Sequence, residues 1–335
     1  MAVPANTLQT FAMSNIKEDL SDIITLTDPT EVPFYSMCAK GTAKSRTPET
    51  QVDSLELPNP DNANIEGDDA VNDALTGPVR LLNVVQLFDK VVQVSSTAQS
   101  VDNAGMGNPK SYQMLKKGKE MKRDMEARFT GNFPSVTGTA AIAGKAAGAE
   151  AMIKTNANRG ATGASGGYNT GTKLFAAATD GTLRVATEAL LKDVIAKAWN
   201  AGGSPTKILV GGKMKQTMSN FPGIATQYRN NSGTDAATII AAADVYKSDF
   251  GLHTIMPNRF MGYGAGRVTP LVEANSNRSA LVLTPASWKL KFLQPIKKVP
   301  LAKLGHSDRE MLSCEVTLEC DDEKKNGVIA DLQAA

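Results

Sequence analysis

The sequence predicts an α+β protein with an arm and a projecting hairpin, and three observations carry that prediction. One helix signal, at 109–130, is far stronger than any other. Short alternating apolar runs crowd residues 244–319. Between 45 and 95 lies more strand-like chain than a compact domain accommodates. The 335 residues are 41% hydrophobic and 21% charged, ordinary globular values that exclude disorder, collagen and disulfide scaffolds.

Residues 1–40 read as an arm. Ser14 or Asn15 caps a short helix through Leu20, Ile23 and Ile24, and Pro29 and Pro33 then hold the chain extended. A small strand is expected at 52–57, before a dense turn signal from Pro58 to Asn64. Glu66, Asp68, Asp69 and Asp73 follow with no basic residue between Asp61 and Gly77, so this tip is hydrated or meets a basic surface elsewhere. Residues 79–97, VRLLNVVQLFDKVVQVSST, read as a strand with a bulge near Asp89 and Lys90. At about 3.3 Å per residue such a strand reaches on the order of 50 Å. Two readings fit: a hairpin over 45–95 that projects from the body, or two ordinary strands with a bend at the bulge.

In 109–130, Pro109 suits a first helical turn, and Met114, Gly118, Met121, Met125 and Phe129 form one apolar stripe. The opposite face carries Lys116, Lys117, Lys119, Lys122, Arg123 and Arg128, either a solvated face or a binding one. Eight glycines between 135 and 171 predict a mobile loop. Thr182 caps a second helix that runs to Gly202, with Leu183, Ala186, Leu190, Val194, Ala198 and Trp199 as its stripe. A buried strand at 207–210, a short helix ending before Pro222, and a loop with an alanine-rich piece at 223–243 come next. Strands are expected at 244–248, 252–256, 280–283, 288–292 and 311–319. In the last, Leu312, Cys314, Val316, Leu318 and Cys320 share a face opposite Ser313, Glu315, Thr317 and Glu319.

The net charge of +2 argues against a dedicated nucleic-acid binder. It conceals a division: residues 1–100 carry −8, 101–300 carry +14 and 301–335 carry −4. Cys38, Cys314 and Cys320 have no metal-ligand spacing, which fits a reduced compartment. The amino terminus lacks a basic and apolar leader, and no apolar run is long enough to span a bilayer. A cytosolic, soluble product is expected, with no membrane partner.

Chemistry is hard to find. His306, in Leu-Gly-His-Ser-Asp, reads as an ordinary loop histidine beside Asp308, and His253 lies in no nucleophile motif. Gly211-Gly212-Lys213 follows a strand and opens a helix, but Met214 stands where a phosphate loop needs a hydroxyl and Lys207 where it needs glycine. Gly262, Gly264 and Gly266 do not join a strand to a helix. No catalytic, metal or cofactor site is assigned, and the protein is expected not to be an enzyme.

The carboxy-terminal half carries a resemblance. Residues 244–261, DVYKSDFGLHTIMPNRFM, and 280–332 hold Tyr246 to Gly251, Asn258-Arg259, Leu301 to Gly305 and Glu315 to Leu318. This combination resembles major capsid proteins of tailed bacteriophages, and more narrowly a short-tailed-phage branch. The resemblance implies the Hong Kong phage-type capsid fold: an arm at 1–44, an extended hairpin loop at 45–95, a peripheral domain at 96–205 and 300–335 with a spine helix at 109–130, and an axial domain at 206–299. It implies a structural subunit that self-assembles into hexamers and pentamers of an icosahedral shell around double-stranded DNA. Implied partners are copies of the same chain, a portal, scaffold or cement proteins, and DNA held on the inner face without sequence-specific binding. The implied location is the virion capsid, and the host cytoplasm during assembly. No position matches the lysine and asparagine through which some members crosslink, so no crosslink is expected.

The charge division then points to inter-subunit contacts. The expected residues are Asp68, Asp69 and Asp73 of the hairpin tip and Lys116, Lys117, Lys122 and Arg123 of the long helix. The alternatives are a cellular nanocompartment shell of the same fold and a cytosolic phosphate-ligand enzyme using Gly211 to Lys213.

Overall fold

A computed structural model describes residues 28–67, 69, 72–101, 107–221, 244–264, 278–303 and 305–333. The expected helix at 14–24 and the alanine-rich piece at 223–243 lie outside the described residues, as does Asp68. The chain enters through helix α1 (Pro33–Met37), β1 (Ala39–Thr42), β2 (Glu49–Val52), β3 (Val79–Leu82) and β4 (Gln86–Ser95). Helices α2 (Ser96–Ser100), α3 (Pro109–Thr130) and α4 (Ala149–Met152) follow, then the short strands β5 (Ala157–Asn158), β6 (Gly167–Asn169), β7 (Leu174–Ala176) and β8 (Arg184–Val185). Next come α5 (Glu188–Asn200), β9 (Lys207–Val210), α6 (Gly212–Ser219), β10 (Val245–Ser248), β11 (Gly251–Pro257) and β12 (Ala280–Leu283). The chain closes with β13 (Trp288–Leu301), β14 (Ser307–Cys320), β15 (Gly327–Ile329) and β16 (Leu332–Gln333).

Two sheets organise the body. The first runs β1-β13-β14-β4 and the second β10-β11-β9-β12-β15-β5. β13 and β14 form a long antiparallel pair whose register shifts around Pro295, where the missing N–H leaves the ladder open. Helix α3 crosses the first sheet. Pro109 opens it, the Asn108 side chain accepts from the Ser111 N–H at 3.0 Å, and Met114, Met121, Met125 and Phe129 are buried as their spacing predicts. They meet Phe88 and Val92 of β4, Leu312, Cys314, Val316 and Leu318 of β14, and Trp288 and Leu290 of β13. Alternation in the second sheet divides its side chains between two cores. Leu209, Leu281 and Val328 join the first core, while Ile208, Val210, Val282 and Ile329 pack under α5 and α6 with Leu191, Val194 and Met214.

Several sequence expectations change. The hairpin is smaller than 45–95: β2 pairs with β3, but β4 belongs to the body through continuous pairing with β14, and no bulge falls at Asp89 and Lys90. The break lies at 83–85. There the buried Asn83 amide donates to the Leu318 carbonyl at 2.7 Å and its Oδ1 accepts from the Val84 and Ala147 N–H groups, so a side chain replaces ladder bonds. Of the strand expected at 52–57, only Val52 lies in a strand.

The helix expected from Thr182 starts at Glu188, because Arg184 and Val185 pair in parallel with Leu332 and Gln333. The glycine-rich stretch is no loose loop over its length. Ala146, Ala147, Ala149 and Ala151 are fully buried, and a Cβ on Gly148 would stand 2.1 Å from the Gly131 carbonyl oxygen. These glycines allow backbone to approach backbone, a use that composition does not reveal. Finally, β14 is buried on both faces, since Ser313, Thr317 and Glu319 are covered too.

Candidate assembly surfaces

Residues 53–78 leave the body at the β2–β3 ribbon and carry seven acidic residues and no basic one. Among the described residues nothing covers their leucines: Leu55 is 98% exposed, Leu57 91% and Leu75 96%. Single exposed leucines are common on proteins, but several on one excursion without a core mark a contact surface. Asp69 and Asp73 are exposed on the same excursion.

The long helix presents its cations unevenly. Lys117 pairs with Glu120 at 2.7 Å, and Arg123 lies 5.0 Å from the centre of the Phe260 ring. Arg128 is absorbed into the body: its Nε donates to the Ala146 carbonyl at 2.7 Å and Nη2 to Pro134 at 2.9 Å, and burial pushes its guanidinium down to about 10. Lys116, Lys119 and Lys122 make no ion pair within 4 Å among the described residues. Of the four expected contact residues on this helix, Lys116 is therefore least committed within the described residues, while the Lys122 ammonium lies 6.0 Å from the centre of the Tyr35 ring.

One buried carboxylate, which the sequence reading missed, fixes the arm to this helix. Glu126 is fully buried; its Oε1 accepts from the Phe34 N–H at 2.8 Å and the Asn258 amide at 2.6 Å, and its Oε2 from the Tyr35 N–H at 2.7 Å. Burial pushes its carboxyl up to about 7, against the pull of these donors and of Lys40. The available signal was an acidic residue at the border of an apolar stripe. Asn258 belongs to the Asn-Arg pair of the motif set, and its role is this clamp.

Tyr246 to Gly251 builds the β10–β11 turn. Ser248 Oγ accepts from the Phe250 N–H, and Gly251 has φ 135°, which favours glycine. His253 Nδ1 donates to the Pro205 carbonyl at 2.7 Å, which leaves Nε2 to accept from the Ser248 hydroxyl at 2.6 Å. Both ring nitrogens are spent on structure. His306 is exposed, and the Asp308 carboxylate pairs with Lys303 at 2.7 Å. Cys38, Cys314 and Cys320 are buried and free. No group of three or more His, Cys, Asp or Glu residues is placed to hold a metal ion, and no helix is long and apolar enough to cross a membrane, both among the described residues.

A clamped arm, an excursion that its own body leaves bare, and a long helix laid on a sheet define the capsid subunit class of fold. The solved structures agree over nearly full length. The capsid of a native GTA particle superposes with TM-score 0.59 at 10% identity, covering 96% of this chain and 97% of that one. The SrpI encapsulin complex from Synechococcus elongatus PCC 7942 gives 0.54 at 10% identity, covering 98% and 97%. These likenesses establish the fold. In sequence, the major capsid protein of Escherichia phage Phieco32 is 37% identical over 110 residues, which is 33% of this chain and 31% of that protein's length. The profile of the SU10 major capsid protein family matches residues 3–333, and the chain belongs to that family. It is a structural protein of a bacteriophage capsid shell.

Proposed function

We propose that the chain assembles in the host cytoplasm into hexamers and pentamers that close an icosahedral shell around double-stranded DNA, held without sequence-specific contacts. In this reading the peripheral domain at 96–205 and 300–335 holds α3 and α5, and the axial domain at 206–299 holds β9, α6, β10, β11 and β12. A portal occupies one vertex, and scaffold or cement proteins are further partners. The supporting observation is the excursion at 53–78, with seven acidic residues, no basic residue and nearly fully exposed leucines. Its acidic tip, with Asp68, Asp69 and Asp73, docks on the long helix of a neighbouring copy near Lys116, Lys117, Lys122 and Arg123. Charge guides docking and register. Exposed pairs contribute only about 0.2–1 kcal/mol each, so repetition and apolar burial supply the strength.

Two experiments test this. Negative-stain microscopy of the purified chain should find thin polyhedral shells or capsomer rings; a small uniform oligomer would count against it. Packaged DNA identifies a virion shell and a packaged enzyme a nanocompartment. Asp69→Lys with Asp73→Lys should raise the concentration needed for assembly and weaken its salt dependence, and unchanged assembly would sink the charge-docking reading.

A further inference from the structure

A cavity of about 220 Å³ lies between the β2–β3 ribbon and the body. Its floor is apolar and buried: Met152 of α4 is 3% exposed, Phe175 of β7 4% and Cys320 of β14 5%. Val79 and Leu81 of β3 form the ribbon side of its mouth, and Tyr168 of β6 faces them. The Tyr168 ring meets Phe175 edge to face at 5.2 Å, and its hydroxyl bonds to the Leu82 backbone.

Two charged residues stand at the rim, and they differ in what they already hold. Glu323 is spent: its Oε2 accepts from the Lys154 N–H at 2.9 Å and the Thr155 N–H at 3.0 Å, and its Oε1 from the Thr155 hydroxyl. Glu49, whose charge also reaches Tyr168, is paired with Arg80 at 3.5 Å. Lys154 is uncommitted. Its stem lies over Gly167, where a Cβ would stand 2.7 Å from the lysine Cβ and Cδ, and its ammonium makes no ion pair within 4 Å among the described residues. The result is an apolar chamber with one available cation at its mouth. An apolar cavity of about 150 Å³ takes a benzene ring, so this one has room for a ring with a substituent and a head group. We propose that the cavity binds a small aromatic carboxylate, with the ring against Met152, Phe175 and Cys320 and the carboxylate at the Lys154 ammonium. A neutral ring leaves that cation without a partner, and a cationic one finds only carboxylates that are already paired. The occupant touches ribbon and body at once and so fixes the root of the ribbon. This site does not depend on the self-assembly reading.

The probe is 4-methylbenzoate, with 4-methylbenzamide as a neutral counterpart of the same shape. A saturation-transfer NMR titration on the full chain should give the acid a Kd of about 0.1–1 mM, which about ten non-hydrogen atoms can supply, and the amide should bind at least tenfold more weakly. Lys154→Met, which keeps an apolar stem, should bring the acid to the affinity of the amide and leave the amide unchanged. Val79→Trp adds bulk at the mouth, at a side chain that is 51% exposed, so the melting temperature should hold while both ligands weaken at least tenfold. Acid and amide binding alike, a Lys154→Met chain that binds the acid as wild type does, or no binding of the acid at about 10 mM overturns the proposal. Unchanged affinities in Val79→Trp would put the binding elsewhere and overturn it as well.

Discussion

Glu126 shows how much one side chain can decide. It satisfies two backbone N–H groups of α1 and the Asn258 amide, so it joins three segments distant in sequence. Replacing it with alanine should cost about 3 kcal/mol or more in urea unfolding of the unassembled subunit, since it orphans several buried donors. Its titration gives a signed expectation. With the carboxyl pushed up to about 7 from an ordinary 4.5, the folded state binds that proton more tightly than the unfolded chain. The stabilisation is full below about 4.5 and is lost as pH rises through about 7. The urea midpoint of wild type relative to Glu126→Gln should therefore fall between about pH 5 and 8; a flat difference would mean that the carboxylate stays ionised throughout. His253 works the other way. Burial holds it below its usual 6.5, so its contribution is present above that value and lost as pH falls through the lower folded one.

At the scale of elements, local patterns and long-range packing had unequal visibility. Helix α3 was legible because its stripe and its proline start are written within 22 consecutive residues. The start of α5 was not, since Thr182 looks like a cap and only the distant Leu332 and Gln333 draw its neighbours Arg184 and Val185 into a strand. The glycine-rich stretch was misread for a related reason. Entropy argues that glycines loosen a chain, but Gly148 sits where the end of α3 leaves no space for a side chain. Gly148→Ala would place a carbon 2.1 Å from the Gly131 oxygen and 2.7 Å from that of Arg128. It should cost above about 3 kcal/mol in thermal or urea unfolding. Asn83→Ala should remove the joint between ribbon and body, orphaning the Ala147 N–H and the Leu318 carbonyl, at about 1–3 kcal/mol for each group left buried without a partner.

For the whole molecule, the division of charge matters more than its sum. The chain is nearly neutral, yet its most exposed excursion is wholly acidic and its longest helix is basic, an arrangement suited to a subunit that meets copies of itself. Mature particles, boiled and reduced, should run as one band near 35.4 kDa, in keeping with the absence of a crosslinking motif; a ladder would contradict that expectation.

The sequence alone determined the α+β class, the long helix, the presence of the terminal strand, the acidic excursion and the family. All of these rest on periodicity, composition or motifs contained in short windows. Only the tertiary structure decided where the projecting ribbon ends, that the glycine-rich stretch is packed, that Glu126 and Asn258 hold the arm, and that a cavity lies between the ribbon and the body. Each of those depends on groups far apart in sequence being brought within bonding or contact distance, and no local pattern encodes that meeting.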